Sequence, residues 1–299
     1  MSVRIIEVGP RDGLQNEKKI LDTQVKAEFI LKLLSAGFQT IEATSFVRAD
    51  KIPQMADAQE LMKSLIAAKV DLNKLPCLVP NLKGLEVAGD LGVREIAVFT
   101  ATSEKFNQKN INASIDESFV RIAEVCNTAK KSGKKVRGYV STVFGCPYEG
   151  KTSLETLKKV TQSLFDLGCY EVSLGDTIGI GHPEQVQKIY KEVKKHFDTS
   201  KLAWHFHDTR GIALANIFAA YQEGARAFDS SAGGLGGCPY AKGASGNVAT
   251  EDVVQMFNLM EVDTGVDLAK LADASTYILQ ALGRSSASKA YQAIIAEKV

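Results

Sequence analysis

The chain has 299 residues, 45% of them hydrophobic and 24% charged, the balance of an ordinary globular protein. A formal net charge of +1 gives no strong field for nucleic acid or an anionic membrane, and no apolar run approaches the ~20 residues of a membrane span. The five cysteines are dispersed and form no Cys-x-x-Cys pair, which argues against a zinc ribbon or a disulfide framework.

The N-terminus enters a strand pattern at once, with no signal or transit segment, so a cytoplasmic protein with reduced thiols is expected. In chain order the predicted strands are Val3–Val8, Thr40–Thr44, Pro76–Val79, Glu95–Phe99, Val136–Val143, Glu171–Leu174, Leu202–His207 and Ala225–Ser230. Amphipathic helical patterns follow nearly every strand, among them Gln24–Ser35, Ser114–Lys131, Leu154–Leu167 and Glu184–Phe197. Cys77, Cys126 and Cys169 fall in apolar periodic stretches and read as small core residues. The lysine-rich runs at 130–135 and 191–196 read as solvated helix faces or ends.

One junction recurs: a helix runs out, a glycine follows, and a strand begins within a residue or two. Gly37, Gly92, Gly133, Gly168 and Gly224 hold this position, where a left-handed backbone closes a helix. Such a tandem βα array predicts a (β/α)₈ TIM barrel, which needs about 250 residues. An open doubly wound sheet is the alternative. We expect one domain, with the barrel over 1–262 and two further helices in the tail, 263–299.

In such a barrel the chemistry sits where strands end. After the first strand come Arg11, Asp12 and Gln15; after the second, Glu42 and Ser45; after the sixth, Ser173, Asp176 and Thr177. The seventh ends in His205 and His207, two of only four histidines. Residues i and i+2 of a strand share a face at roughly 6–7 Å, so two imidazoles there can share one ion. Asp12 is the natural carboxylate and Asn247 the natural amide to complete a six-coordinate Mg²⁺ or Mn²⁺ site; zinc is less favoured by so many oxygens. The loop before Asn247 holds six glycines between Gly233 and Gly246 but is neither a Walker A loop nor a Rossmann fingerprint. It carries Cys238, a thiol that cationic surroundings could activate. The tetrapeptide Gly-Cys-Pro-Tyr occurs twice, with Cys146 and with Cys238, and spacing does not say which copy is chemical. Arg11-Asp12 could also be a surface turn.

Six segments carry a family resemblance: Glu7–Gln15 (EVGPRDGLQ), Ile41–Phe46 (IEATSF), Lys109–Asn112 (KNIN), Ser173–Thr177 (SLGDT), His205–Gly211 (HFHDTRG) and Gly234–Asp252 (GLGGCPYAKGASGNVATED). They resemble the 3-hydroxy-3-methylglutaryl-coenzyme A lyase family over almost the whole chain. The resemblance implies metal-dependent cleavage of a branched acyl-CoA to acetyl-CoA and acetoacetate, in a homodimer. It implies metal ligation by Asp12, His205, His207 and Asn247, and catalytic roles for Arg11, Asp12, His205 and Cys238, supported by Glu42 and Asp176. Gln15, Ser45, Ser173 and Thr177 are candidates for substrate contacts, and Lys109 and Asn110 for contacts to coenzyme A.

The residue types suit that reaction on their own terms. A base, His205 or Asp176, would take the hydroxyl proton. A cation would hold two substrate oxygens, and Arg11 would stabilise the departing enolate. Cys238 would protonate the acetyl-CoA carbanion. A Claisen synthase of the same barrel group is a rival. Its relatives carry a Glu-Arg-x-Gly-Asn stretch in the last loop and often a C-terminal regulatory domain, where this chain has the cysteine loop and a short tail. A non-catalytic barrel that binds metal or coenzyme A is the rival from another class.

Overall fold

The structure is a computed structural model that describes residues 2–237 and 246–297. The parallel strands are β1 (Arg4–Glu7), β2 (Thr44–Ser45), β3 (Cys77–Leu78), β4 (Glu95–Ala101), β5 (Lys135–Ser141), β6 (Glu171–Asp176), β7 (Leu202–Phe206) and β8 (Ala227–Ser230). Around them lie α1 (Thr23–Ser35), α2 (Ala58–Ala67), α3 (Leu82–Asp90), α4 (Glu104–Ile111), α5 (Ile115–Lys131), α6 (Leu154–Asp166), α7 (Pro183–Val193), α8 (Ala213–Glu223) and α9 (Thr250–Leu259). The tail forms α10 (Leu268–Leu282) and α11 (Lys289–Glu297), the two helices expected there.

The strand order is β1-β8-β7-β6-β5-β4-β3-β2. Glu7 N donates to the Thr40 carbonyl at 3.0 Å and Glu42 N to the Glu7 carbonyl at 2.9 Å, so β1 also meets the segment leading into β2 and the sheet closes. This is the predicted TIM barrel. The second strand differs from its expected bounds of Thr40–Thr44. Its first half pairs with β1 and its last two residues pair with β3, so the regular ladder is short although the extended hydrogen bonding runs through Phe46.

Local sequence explains the frame. All five junction glycines have positive φ, between +66° and +120°. At Gly37 the need is also steric, because a Cβ would stand 2.3 Å from the Gly265 carbonyl oxygen. Ser114 and Glu117 close a reciprocal capping box at the start of α5, which satisfies two otherwise orphaned amide donors. The strands are buried on both faces, β6 and β8 at every residue, as parallel strands under helices must be.

Alternation along β7 positions the chemistry. Trp204 stacks on Tyr190 of α7 at 5.6 Å and on Phe206 at 6.1 Å between ring centroids. That fixes Trp204 and Phe206 toward the helical layer, so His205 and His207 turn toward the barrel interior. Cys77, Cys126 and Cys169 are buried in the core, as their apolar settings predicted.

Candidate active site

Immediately after β1 the amides of Arg11, Asp12 and Gly13 all reach for the Val8 carbonyl, at 3.2, 2.8 and 3.2 Å. This tight turn, which Pro10 can open because it needs no N–H there, places Arg11 and Asp12 in the mouth of the barrel. Arg11 is buried; its Nε donates to Glu42 Oε2 at 2.5 Å and its Nη1 to Asp12 Oδ1 at 2.7 Å. Burial opposes the charge on Arg11, but Glu42 and Asp12 together hold the guanidinium protonated. The surface-turn alternative for Arg11-Asp12 therefore fails.

Asp12, His205 and His207 each offer one ligand atom within 4.8 Å of the others. The two imidazole centroids are 5.1 Å apart. Asn247 joins them through a backbone bridge to His207, and its Nδ2 donates to Asp12 Oδ2 at 2.9 Å. Two buried atoms of these residues, His207 Nδ1 and Asn247 Oδ1, have no hydrogen-bond partner. An imidazole, an amide oxygen and an anionic carboxylate are the donor set a hard cation takes; here the Asn247 amide turns its Nδ2 to Asp12, and a half-turn of the amide would bring Oδ1 to that side. Burial and the neighbouring His205 push His207 down to about 4, so it is neutral near pH 7, the form that binds metal. Burial alone would raise Asp12, but Arg11, His205 and His207 bring its carboxyl below the usual range.

His205 is held from behind. Its Nδ1 lies 3.3 Å from Asp229 Oδ2, on β8. Burial disfavours the charged ring, yet Asp229 and then Asp12 raise His205 above the ordinary imidazole value. Asp229 in turn receives Arg137 Nη2 at 2.7 Å and the Ser173 hydroxyl at 2.7 Å.

Arg11, Asp12, Gln15, Asn110, Ser173, Thr177, His205 and His207 line one cleft. Gln15 Oε1 is buried there without a partner. Thr177 Oγ1 accepts the Thr142 amide at 2.8 Å. Lys109 lies in an adjoining groove with Arg48, Lys51 and Arg121; Gln15, Leu78, Phe99 and Asn110 border both hollows.

Other expected residues stand back from the cleft. Glu42 and Ser45 are fully buried on the second strand, each with one oxygen lacking a partner. Asp176 is buried with its carboxylate accepting the amides of Ile180 and Gly181 at 3.1 and 2.8 Å, and burial raises its carboxyl. Cys146 is buried against the Ser103 hydroxyl at 2.9 Å and is not among the described cleft-lining residues. Cys238 lies outside the described residues; Gly237, just before it, lines the cleft.

Sequence reasoning missed Asp229, Arg137, Glu171 and Tyr139. Arg137 Nε donates to Glu171 Oε1 at 2.7 Å and its Nη1 to the Tyr139 hydroxyl at 2.8 Å, all inside the barrel. The available signal was a charge within each of three strands otherwise read as buried, where an unpaired charge is untenable.

The chain is similar to known proteins over nearly its whole length. The HMGL-like family model matches residues 2–278. The mitochondrial hydroxymethylglutaryl-CoA lyase of Gallus gallus is 50% identical over 97% of this chain and 97% of its own length. That of Arabidopsis thaliana is 51% identical over 98% of this chain, which spans 62% of that longer protein. Among solved structures, the HMG-CoA lyase of Bacillus subtilis superposes with a TM-score of 0.95 at 44% identity, covering 98% of each chain. An HMG-CoA lyase of Acinetobacter baumannii, in complex with coenzyme A and 3-methylmalate, gives 0.92 at 36% identity over 98% of this chain and 95% of its own. With the family model spanning nearly all of the barrel and these identities running the length of the chain, the chain belongs to the HMGL-like family, alongside these hydroxymethylglutaryl-CoA lyases.

Proposed function

We propose that this chain cleaves 3-hydroxy-3-methylglutaryl-CoA to acetyl-CoA and acetoacetate, using Mg²⁺ or Mn²⁺ held by Asp12, His205, His207 and Asn247. The observation that carries the proposal is the convergence of three ligand atoms within 4.8 Å beside a buried, charged Arg11. Half-identical relatives named for this activity support it.

Bound at these residues, the cation would supply Lewis-acid polarisation and a template for the substrate hydroxyl and carbonyl oxygens. The chain's own groups supply the rest. Arg11 spends Nε on Glu42 and Nη1 on Asp12, which fixes its plane and leaves Nη2 to meet the oxygen on which enolate charge develops. Of the two candidate bases, His205 lines the cleft and Asp176 does not; both oxygens of Asp176 hold the loop after β6. We therefore assign the hydroxyl proton to His205 and loop positioning to Asp176. One imidazole lone pair serves an ion or a proton at a given instant, so these two duties of His205 alternate.

Gln15, Ser173 and Thr177 line the cleft where the acyl group would sit, and Ser45 and Glu42 back it. The basic groove of Arg48, Lys51, Lys109 and Arg121 suits the phosphates of coenzyme A, with Asn110 at the boundary. Cys238 is assigned the proton delivered to the acetyl-CoA carbanion, on the sequence pattern alone. The homodimer and the cytoplasmic location belong to the same reading. The compartment is not common to the relatives, whose names include both mitochondrial and cytoplasmic, and among the described residues no helix is long and apolar enough to cross a membrane.

A substrate panel tests the reading. Purified protein with Mn²⁺ is given 3-hydroxy-3-methylglutaryl-CoA, esters with longer C3 branches, and acetyl-CoA with 2-keto acids. Turnover of the first at the highest kcat/KM supports the proposal, whereas preferred condensation of acetyl-CoA with a 2-keto acid would replace it with the synthase reading.

A further inference from the structure

The barrel interior contains a line of charges that the reaction itself does not call for. Arg4 on β1 pairs with Glu171 on β6. Glu171 Oε1 accepts Arg137 Nε at 2.7 Å, and Arg137 crosses to Asp229, giving Nη2 to Oδ1 at 2.7 Å and Nη1 to Oδ2 at 3.3 Å. Arg137, Glu171 and Asp229 are each no more than 2% exposed. Two cations and two carboxylates balance, so the row is neutral before any histidine joins it. Its far end is His205, whose Nδ1 faces the same Asp229 oxygen that the Ser173 hydroxyl bonds.

We propose that Arg137 and Asp229 are positioning residues that set the ring orientation and tautomer of His205, and through them the affinity of the site for its divalent cation. The proposal rests on the metal-site reading above. Asp229 is an acceptor: donors from Arg137 and Ser173 already converge on both of its oxygens. The hydrogen bond with His205 is therefore satisfied only when Nδ1 carries the proton, and the Nε2 lone pair is then left for the cleft. A carboxylate behind a ligating imidazole both orients the ring and makes it a better donor. Arg137 matters at one remove, because it fixes where the Asp229 carboxylate points. Tyr139, which accepts from Arg137 Nη1 and lies 4.8 Å below the guanidinium, completes the clamp on that side.

A purely structural row of ion pairs would look similar in one respect, since breaking it also lowers stability. The test separates the two. The double exchange Arg137→Gln with Asp229→Asn removes one charge of each sign and leaves Glu171 its partner Arg4. Mn²⁺ binding is measured on the folded double variant and on the parent, with thermal unfolding run alongside. We expect Kd for Mn²⁺ to rise about 10–100-fold, and lost turnover to return as Mn²⁺ is raised above the new Kd. Lys26→Met, which breaks a buried ion pair with Asp57 elsewhere, should lower stability without moving Kd. A folded double variant with Kd within about twofold of the parent overturns the inference while leaving the metal site intact. A parent that binds no Mn²⁺ overturns the metal reading and this inference with it.

A second measurement needs no variant to fold. With four histidines in the chain, histidine-selective ¹⁵N spectra of the metal-free parent, recorded at a pH high enough for the His205 ring to be neutral, resolve each tautomer. The inference requires His205 in the Nδ1–H form, and an Nε2–H ring would contradict it.

Discussion

Arg11 and Glu42 meet across adjacent strand ends at 2.5 Å, Nε to Oε2, with Arg11 only 7% and Glu42 1% exposed. The pair joins the loop after β1 to the strand beside it. With Asp12 on Nη1 as well, the guanidinium is gripped on two sides and cannot turn. Arg11→Lys keeps the charge but loses the fork. If Arg11 stabilises the enolate, kcat should fall about 10²–10³-fold, the scale for loss of one preorganised donor, with KM nearly unchanged. Near-normal kcat in steady-state assays would remove Arg11 from that role.

Glu7 makes stability depend on pH. Its Oε1 accepts the amides of Gly9 and Ala232 at 2.7 and 2.9 Å, and its Oε2 accepts the Thr250 hydroxyl at 2.7 Å. Burial outweighs those bonds and raises its pKa from 4.5 to about 8. The folded state therefore holds this proton more tightly than the unfolded chain does. The stabilisation is fully present below pH 4.5 and is lost as pH rises toward 8, at about 1.4 kcal/mol per pH unit inside that window. Urea unfolding from pH 5 to 8 should show a decline in the parent, to which buried Glu251, raised to about 7, adds in the lower part of the range, and Glu7→Gln should make it shallower. Equal slopes in the two proteins would refute the assignment.

Two junction glycines should respond differently to the same change. Gly133 has φ +66° with nothing within 4 Å of a built Cβ, so Gly133→Ala carries only the left-handed backbone penalty, about 1 kcal/mol. At Gly37, φ is +105° and the added methyl meets backbone oxygen of Gly265 at 2.3 Å. Gly37→Ala should lose about 3 kcal/mol or more, because the tail segment leading into α10 must shift as well. Chemical denaturation of both variants gives the ranking directly.

The repeated Gly-Cys-Pro-Tyr tetrapeptide can be resolved by exchange. Cys146 packs against Ser103 and accepts the Tyr148 amide at 3.3 Å, away from the cleft. Cys146→Ser should leave kcat within about threefold. Cys238→Ser should lower kcat rather than raise KM if that thiol moves the proton. The reverse pattern would move the chemistry to the first copy.

What could be read from the chain depended on what announces itself locally. Gly37, Gly92, Gly133, Gly168 and Gly224 gave the βα repeat because a left-handed residue after a helix is nearly a glycine monopoly. The spacing of His205 and His207 gave a shared face because strand alternation is strict, and Trp204 and Phe206 confirm it by packing outward. Asp229, Arg137 and Glu171 were missed because each has its partners on other strands. Their meaning lies in neighbours 34 and 92 positions away, and no local pattern reports a pairing that barrel closure creates. Asp176 was legible as part of a motif but not in its task, since its partners are backbone amides four and five residues on. The split pairing of the second strand likewise follows from its place at the closing seam.

The most direct test of the account is a product balance. Protein stripped of metal is incubated with 3-hydroxy-3-methylglutaryl-CoA, Mn²⁺ or Mg²⁺ is added back, and acetyl-CoA and acetoacetate are quantified together. We expect no cleavage without metal, and equal amounts of both products once it is restored. Folded, metal-loaded protein that leaves the thioester intact would contradict it.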